Sequence, residues 1–167
     1  MFASKSEIAL AAALAIAAAS AQAQKPLFDD APRSAPKPTV VFLYPEQITI
    51  PAGKPATIAL HFRVAPGLHI NSHTPSEPEL IPATFSIPAG SGVRLDGVIY
   101  PPGADFTLPL DPTTKLSVYS GEFILQARIV AEPGNHLVEA RLRCQACDNN
   151  ACMPPRTIIV AIDVIGK

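Results

Sequence analysis

The residues of this chain that are best suited to chemistry are its three cysteines, which lie between Cys144 and Cys152. The residues from Asp148 to Ala151 separate Cys147 from Cys152, and Asp and Asn form turns because they tolerate left-handed backbone and bond to their own main chain. A turn there brings Cys147 and Cys152 close enough to form a disulfide. Such a bridge either closes a hairpin as a structural link or exchanges electrons with other thiols.

Strand alternation distinguishes Cys144 from Cys147. Residues three apart in a strand face opposite sides, so Cys144 is predicted to point into the core as an inert thiol and Cys147 to point outward. A β-bulge near Cys144 would reverse that assignment. The Cys-x-x-Cys spacing is not predicted to act as a thioredoxin-type motif, which needs a helix start after it. The apolar face of the strand holds Val138, Ala140, Leu142, Cys144 and Ala146.

Composition excludes several classes of function. The chain has 167 residues, with 13 Lys and Arg against 14 Asp and Glu, so its net charge is −1 and no basic excess indicates nucleic acid. Trp is absent and aromatic residues are few, which argues against a base-stacking platform. The 19 prolines cut helices short, so the chain is predicted to consist of strands and loops.

The N-terminus has the pattern of a signal peptide. Lys5 precedes an apolar run from Ile8 to Ala19, which is too short to span a bilayer, and small residues offer cleavage after Ala21 or Ala23. We expect residues 1–23 to be removed on export to the periplasm, an oxidising compartment where disulfides persist. A Pro-rich flexible leader is predicted over residues 24–39, followed by one domain over residues 40–167, with no later segment apolar and long enough to cross a membrane.

Metal binding is an alternative use of the same cysteines. Together with His69, His73 or His136 they could supply four ligands to zinc, or could hold copper as an exported carrier does. Structural zinc sites pair two close-spaced ligand clusters, and these histidines make only a weak second one. An oxidising compartment also works against a zinc site. We therefore predict neither a metal nor an organic cofactor.

Alternating apolar residues predict an all-β fold. Residues 56–64 alternate clearly, as do 123–130 and 157–164, and residues 136–146 are expected to return antiparallel after a turn at 133–135. Shorter strands are predicted near residues 68–70, 84–87 and 93–100. The segment from Pro101 to Thr114 holds four prolines and Phe106, and is predicted to be a long irregular loop. Seven to nine short strands with frequent turns favour an immunoglobulin-like antiparallel β-sandwich.

The cysteine segment also resembles a known family. Gln145-Ala146-Cys147, followed after four residues by Cys152-Met153-Pro154-Pro155, resembles the N-terminal periplasmic domain of the DsbD thiol:disulfide interchange protein. The stretch from Gly67 to Pro75 supports this, as do Tyr100-Pro101-Pro102-Gly103 and Val118-Tyr119-Ser120-Gly121-Glu122. The resemblance runs from about Val40 to the C-terminus. Cys144 is a departure, since an aromatic residue is common there in the family, and three cysteines could pair in more than one way.

The resemblance implies the fold and a redox function. It implies a protein-disulfide reductase or interchange component in which Cys147 and Cys152 cycle between dithiol and disulfide, without an organic cofactor. Members of the family cover the pair with a loop that carries an aromatic residue, which matches Asp105 and Phe106. Polar or aromatic residues of an early strand lie beneath the pair, and His69 and Asn71 match those positions.

Partners are also implied by the resemblance. We expect thioredoxin-like periplasmic proteins, including those of cytochrome c biogenesis. Full-length members carry a membrane domain and a thioredoxin-like domain that this sequence does not show, so a separate membrane electron donor and a monomeric state are expected. The alternative is an exported β-sandwich that serves as a binding module, with a purely structural disulfide or with a bound metal.

Overall fold

A computed structural model describes residues 37–44, 47–109 and 111–167. These residues form strands and no helix, and therefore contain no helix that could cross a membrane. The predicted signal peptide, residues 1–23, lies outside the described residues, and so does the predicted leader up to residue 36. The strands are β1 (Val40–Leu43), β2 (Gln47–Ile50), β3 (Ala56–Val64), β4 (His69–Asn71), β5 (Thr84–Ser86), β6 (Val93–Ile99), β7 (Ala104–Leu108), β8 (Asp111–Tyr119), β9 (Glu122–Ala131), β10 (Gly134–Cys144), β11 (Ala146–Cys147) and β12 (Arg156–Gly166).

The strands are arranged in three four-stranded sheets. The first has the order β1-β3-β9-β6, the second β2-β12-β10-β5 and the third β11-β4-β8-β7. The described pairs are antiparallel except for β2 and β12, which run parallel. The predicted class, an all-β immunoglobulin-like fold of antiparallel sheets, is confirmed.

The core forms where the first two sheets bury their alternating apolar faces. Phe62 of β3 and Leu125 of β9 come from the first sheet, and Leu142 of β10 and Val160 of β12 come from the second; all four are at most 1% exposed. All four belong to one cluster of buried side chains. Because burying one such side chain is worth about 1.5–3 kcal/mol, this alternation is what fixes the strand faces.

The prediction of an irregular segment over residues 101–114 is wrong. β7 and β8 form an antiparallel hairpin there, in which Phe106 lies opposite Leu116. The prolines do not prevent this, because they lie before β7, at the hairpin turn and at the start of β8. Pro112 of β8 lies outside the part of that strand that pairs with β4, which is Val118 and Tyr119, so its missing N–H is tolerated. The hairpin is one reason why the described residues hold twelve strands instead of the predicted seven to nine.

β10 is antiparallel to its neighbours, as predicted, but it does not return along β9. It crosses to the second sheet and pairs with β12 from Gly134↔Gly166 to Cys144↔Arg156, and with β5 on its other side. Both β9 and β10 have one fully buried face. A sandwich allows two such successive strands to face each other across the core, which sequence periodicity does not reveal.

Candidate functional site

The cysteine pair lies where the second sheet passes into the third. β10 ends at Cys144, the ladder is interrupted at Gln145, and β11 covers the next two residues. β11 pairs with β4, so that Cys147 lies opposite His69. Cys147 and Cys152 are joined by a disulfide, with their Cα atoms 3.9 Å apart. The structure therefore places a closed bridge at the junction of two sheets.

Asp148 organises the turn between the two cysteines. Its backbone N–H donates to the carbonyl of Ala151 at 3.0 Å. Its carboxylate Oδ1 accepts from the backbone N–H groups of Asn150 at 2.7 Å and Ala151 at 2.8 Å. These two N–H groups hold the pKa of the Asp148 carboxyl below its usual range. The turn predicted from residues 148–151 is present, and a side-chain acceptor stabilises it.

Two further hydrogen bonds join the arms on either side of the turn. The N–H of Met153 donates to the carbonyl of Ala146 at 2.8 Å. The Nε2 of Gln145 donates to the carbonyl of Met153 at 3.1 Å. Sequence reasoning missed this role of Gln145, for which the only signal is its place beside the cysteine in the family-like motif. The arms are thus held together by bonds that do not depend on the disulfide.

The two cysteines of the bridge differ in their exposure to solvent. Cys147 is only 3% exposed, whereas Cys152 is an exposed residue. The prediction that Cys147 points outward assumes one regular strand through Cys144 and Cys147, but β10 ends at Cys144 and Cys147 lies on β11. Cys147 is buried, because β4 pairs on one side of it and Cys152 bridges on the other. It is not a member of the core cluster that holds Cys144 and Ala146.

Cys144 is a buried free thiol, as its strand parity predicts. It is 1% exposed and lies opposite Arg156 in the ladder between β10 and β12. Burial raises the pKa of the Cys144 thiol to about 11, because a thiolate is poorly solvated among apolar side chains. Since the thiolate is the reactive form of cysteine, Cys144 is chemically quiet at neutral pH.

His69 and Phe106 are brought together beside the bridge. His69 is 3% exposed, and its ring centroid lies 4.2 Å from that of the half-buried Phe106 at an interplanar angle of 36°. β8 lies between β4 and β7 in the sheet, so the hairpin must curl for these two rings to touch. Burial holds the pKa of His69 below its usual range, and the charge of Asp148 opposes that shift. Within the described chain, His69 Nε2 has no hydrogen-bond partner.

The other two predicted covering residues fix the surroundings. Asp105 is exposed and forms an ion pair with Lys115 of β8 at 3.5 Å, on the face of β7 opposite Phe106. Asn71 is 1% exposed, and its Nδ2 donates to the carbonyl of Ile81 at 3.1 Å. The ion pair joins β7 to β8, and the hydrogen bond of Asn71 joins β4 to the loop that follows it.

Aromatic side chains hold β4 against the hairpin. The hydroxyl of Tyr119 accepts from the N–H of His73 at 3.2 Å and donates to the carbonyl of Pro101 at 2.9 Å. The His73 ring stacks on Tyr100, with centroids 3.7 Å apart. Gly103, just before β7, leaves no room for a Cβ atom beside two serine side chains, which explains the glycine there. The sequence does not predict these contacts of Tyr100 and Tyr119, although both tyrosines lie in the family-like stretches.

The histidines and cysteines of the zinc and copper hypotheses are not gathered into a ligand set. Cys147 and Cys152 share a disulfide and Cys144 is buried in the core. His136 Nε2 is hydrogen-bonded to the carbonyl of Glu132 at 2.9 Å, and His73 Nδ1 to the carbonyl of Ala83 at 3.0 Å. In the part of the chain that the structure describes, no group of three or more His, Cys, Asp or Glu residues is placed to hold a metal ion.

Comparisons with known proteins identify the family of this chain. No curated protein matches this chain. The crystal structure of the Neisseria meningitidis DsbD N-terminal domain in the reduced form is 17% identical, with a TM-score of 0.43, and the match covers 65% of this chain and 77% of that one. The N-terminal periplasmic domain of ScsB from Proteus mirabilis is 12% identical, with a TM-score of 0.47, and the match covers 74% of this chain and 43% of that one. The family model "Thiol:disulfide interchange protein DsbD, N-terminal" matches residues 39–163, and the chain therefore belongs to that family.

Proposed function

We propose that this chain performs thiol–disulfide exchange through a reversible Cys147–Cys152 bridge, and passes electrons to or from thioredoxin-like proteins in the periplasm. The observation that carries the proposal is the unequal exposure of the two bridged cysteines: Cys152 is an exposed residue and Cys147 is 3% exposed. An exchange reaction needs one sulfur that a partner can reach and a second that waits beside it. Membership of the DsbD N-terminal family supports the same chemistry.

The proposed step begins with a partner thiolate that attacks Sγ of Cys152. A bond forms between the partner and Cys152, the bond between Cys152 and Cys147 breaks, and Cys147 takes the electron pair and then a proton. A second thiol of the partner attacks the partner's own sulfur and releases Cys152, which is protonated in turn. Two electrons and two protons are transferred in total, and Cys147 is the resolving residue when the steps run in reverse.

Three features favour Cys152 as the point of attack. It is exposed, and it follows the turn, where the chain has left the ladder. Pro154 and Pro155, both exposed, are rigid and carry no N–H groups, so this surface stays open without offering an edge for strand pairing. When the steps run in reverse, Asp148 disfavours a thiolate at the adjacent Cys147 by like-charge repulsion, which leaves Cys152 as the sulfur that attacks the partner.

Trapping with single variants tests this assignment. Reduced Cys147→Ser should accumulate a covalent complex with a thioredoxin-like protein whose second cysteine is replaced by serine and whose first carries a small thiol as a mixed disulfide. Cys152 attacks the partner sulfur, the small thiol leaves, and neither protein keeps a thiol that could resolve the complex. Cys152→Ser should not accumulate the complex, since its remaining sulfurs are buried. The complex is measured by non-reducing electrophoresis and mass spectrometry, with Cys144→Ala as the matched control. Trapping by Cys152→Ser alone would exchange the two roles, and no trapping by either variant would contradict the exchange function.

The second candidate function is a binding module with a structural disulfide. The hydrogen bonds of the Asp148 turn favour it, because they show a locally stable hairpin. A redox titration against glutathione separates the two functions. A reduction potential below about −300 mV would mark a structural bridge, and a higher value an exchange pair.

We also propose export, with cleavage of a signal peptide after Ala21 or Ala23, and a monomeric mature protein. The apolar run from Ile8 to Ala19 and the oxidised cysteine pair support this. Intact mass measurement of protein recovered from the periplasm would show an N-terminus at Gln22 or Gln24. An uncleaved N-terminus would contradict the proposal.

Family membership also supports partners in cytochrome c biogenesis and a separate membrane electron donor, which pull-down of the trapped complexes would identify.

A further inference from the structure

His69 carries a buried polar atom whose bonding is incomplete. The residue is 3% exposed, and within the described residues Nε2 has no hydrogen-bond partner. A buried polar atom without a partner costs free energy, so such atoms are rare in folded proteins. The contact with the Phe106 ring does not satisfy it, because a ring face is at most a weak acceptor.

The position of His69 connects this atom with the bridge. His69 and Cys147 are directly opposite each other in the antiparallel pair of β4 and β11. Residues opposite each other in such a pair project from the same face, with their Cβ atoms about 4.5–5.5 Å apart. While Cys147 Sγ is bonded to Cys152, it carries no hydrogen to donate. The sulfur and the imidazole are therefore neighbours that share no hydrogen bond in the oxidised protein.

We propose that His69 sets the redox equilibrium of the cysteine pair by favouring the reduced form: its Nε2 lacks a partner while the bridge is closed and gains the Cys147 sulfur when the bridge opens. The inference rests on the proposed exchange function. Opening the bridge adds two electrons and two protons, which convert both sulfurs to thiols. The thiol of Cys147 can then donate to a bare Nε2, a hydrogen bond that the disulfide sulfur cannot make.

Burial, and not a neighbouring charge, favours the neutral ring of His69. Burial lowers the pKa of His69, and Asp148, on the turn after β11, is the charged group that acts on it in the opposite direction. Asp105 and Lys115 of the hairpin are exposed and pair with each other. Oδ1 of Asp148 accepts from two backbone N–H groups, which favours the ionised carboxylate, and an ionised carboxylate has no proton to donate to Nε2.

Equilibration with glutathione tests the proposal on the full protein. Each bridge that opens converts two glutathione molecules to one glutathione disulfide, and the reduced fraction is measured by alkylation and mass spectrometry. His69→Leu should shift the equilibrium about tenfold toward the disulfide, which corresponds to a potential about 30 mV lower. His69→Gln offers an amide in place of the ring and should stay within about threefold of the wild type, because it restores a hydrogen bond to the sulfur.

Ser72→Ala is the matched control, since Ser72 follows β4 directly and is another fully buried polar residue. We expect it to shift the equilibrium by less than about twofold, because its hydroxyl is bonded to Ser117 and not to the site. An unchanged equilibrium in His69→Leu, or an equal shift in Ser72→Ala, would overturn the proposal. A wild-type potential below about −300 mV would instead contradict the exchange function. The ratio of the glutathione equilibrium constants of His69→Leu and the wild type would still test the role of His69.

A second measurement needs no variant. The nitrogen chemical shift of Nε2 in the wild-type protein should change between the oxidised and reduced states, because the atom gains a hydrogen bond. Identical shifts of Nε2 in both states would refute the role of His69.

Discussion

Cys144 and Cys147 lie three residues apart and are both almost completely buried, at 1% and 3% exposure, yet their surroundings differ in kind. Cys144 belongs to the apolar core cluster, and its thiol pKa is raised to about 11. Cys147 lies outside that cluster, opposite His69 and bonded to the exposed Cys152. The two cysteines are equally buried but lie on different strands of different sheets, so their neighbours, more than their depth of burial, distinguish the free thiol from the bridged one.

The largest effect expected from this comparison is on exchange itself. Cys152→Ser should lower the rate of exchange with a thioredoxin-like partner more than about a hundredfold, because the attacked sulfur is gone. Cys144→Ala should leave the rate within about twofold, since its thiol is a structural group of the core. The chain contains no Trp, so partner tryptophan fluorescence follows the reaction without interference. A comparable loss of rate in Cys144→Ala would mean that Cys144 and the bridged cysteines do not differ in function.

A smaller effect is expected on stability at alkaline pH. Burial raises the pKa of the Cys144 thiol in the folded state from 9.0 to about 11. The contribution of the protonated thiol to the free energy of unfolding is therefore complete below pH 9.0 and is lost as the pH rises through 11. Two pKa units correspond to about 3 kcal/mol of unfolding free energy. Urea unfolding measures the free energy of unfolding of the wild type and of Cys144→Ala across this pH range. The difference between the two proteins reports the titration of the thiol alone, because the tyrosines titrate in both. Parallel curves would show that Cys144 is not shielded from water.

The smallest effect is expected from truncating Phe106, the aromatic residue that is predicted to shield the disulfide. Phe106→Ala removes the ring that packs on His69, so small thiols should reduce the disulfide faster, by about tenfold, as access to the sulfur improves. The cost in stability should stay below the ~3–5 kcal/mol of truncating a fully buried Phe, because Phe106 is only half-buried. Stopped-flow reduction and thermal melting measure the two quantities. A large drop in melting temperature with an unchanged reduction rate would make Phe106 a core residue instead.

The sequence predicts what depends on local alternation and not what depends on distant partners. The buried faces of β9 and β12 and the inward direction of Cys144 follow from a period of two along a single strand. The partners of β10, which are β12 and β5, and the burial of Cys147 beside β4 depend on tertiary pairing, for which periodicity carries no signal. The hairpin of β7 and β8 was missed because prolines argue against strands, although these prolines occupy positions that tolerate them.

The parallel pairing of β2 with β12 has a consequence for the order in which the molecule folds. Gln47 lies opposite Asp163, and its side chain also bonds to that carboxylate at 2.7 Å, across 116 residues of sequence. Pairings between such distant residues form slowly, because the entropy of closing the intervening chain must be overcome first. The bridge needs a loop closure of only five residues, so oxidation can precede completion of the sheet. The pairing of β2 with β12 is therefore expected to form later than the bridge, whose closure is local.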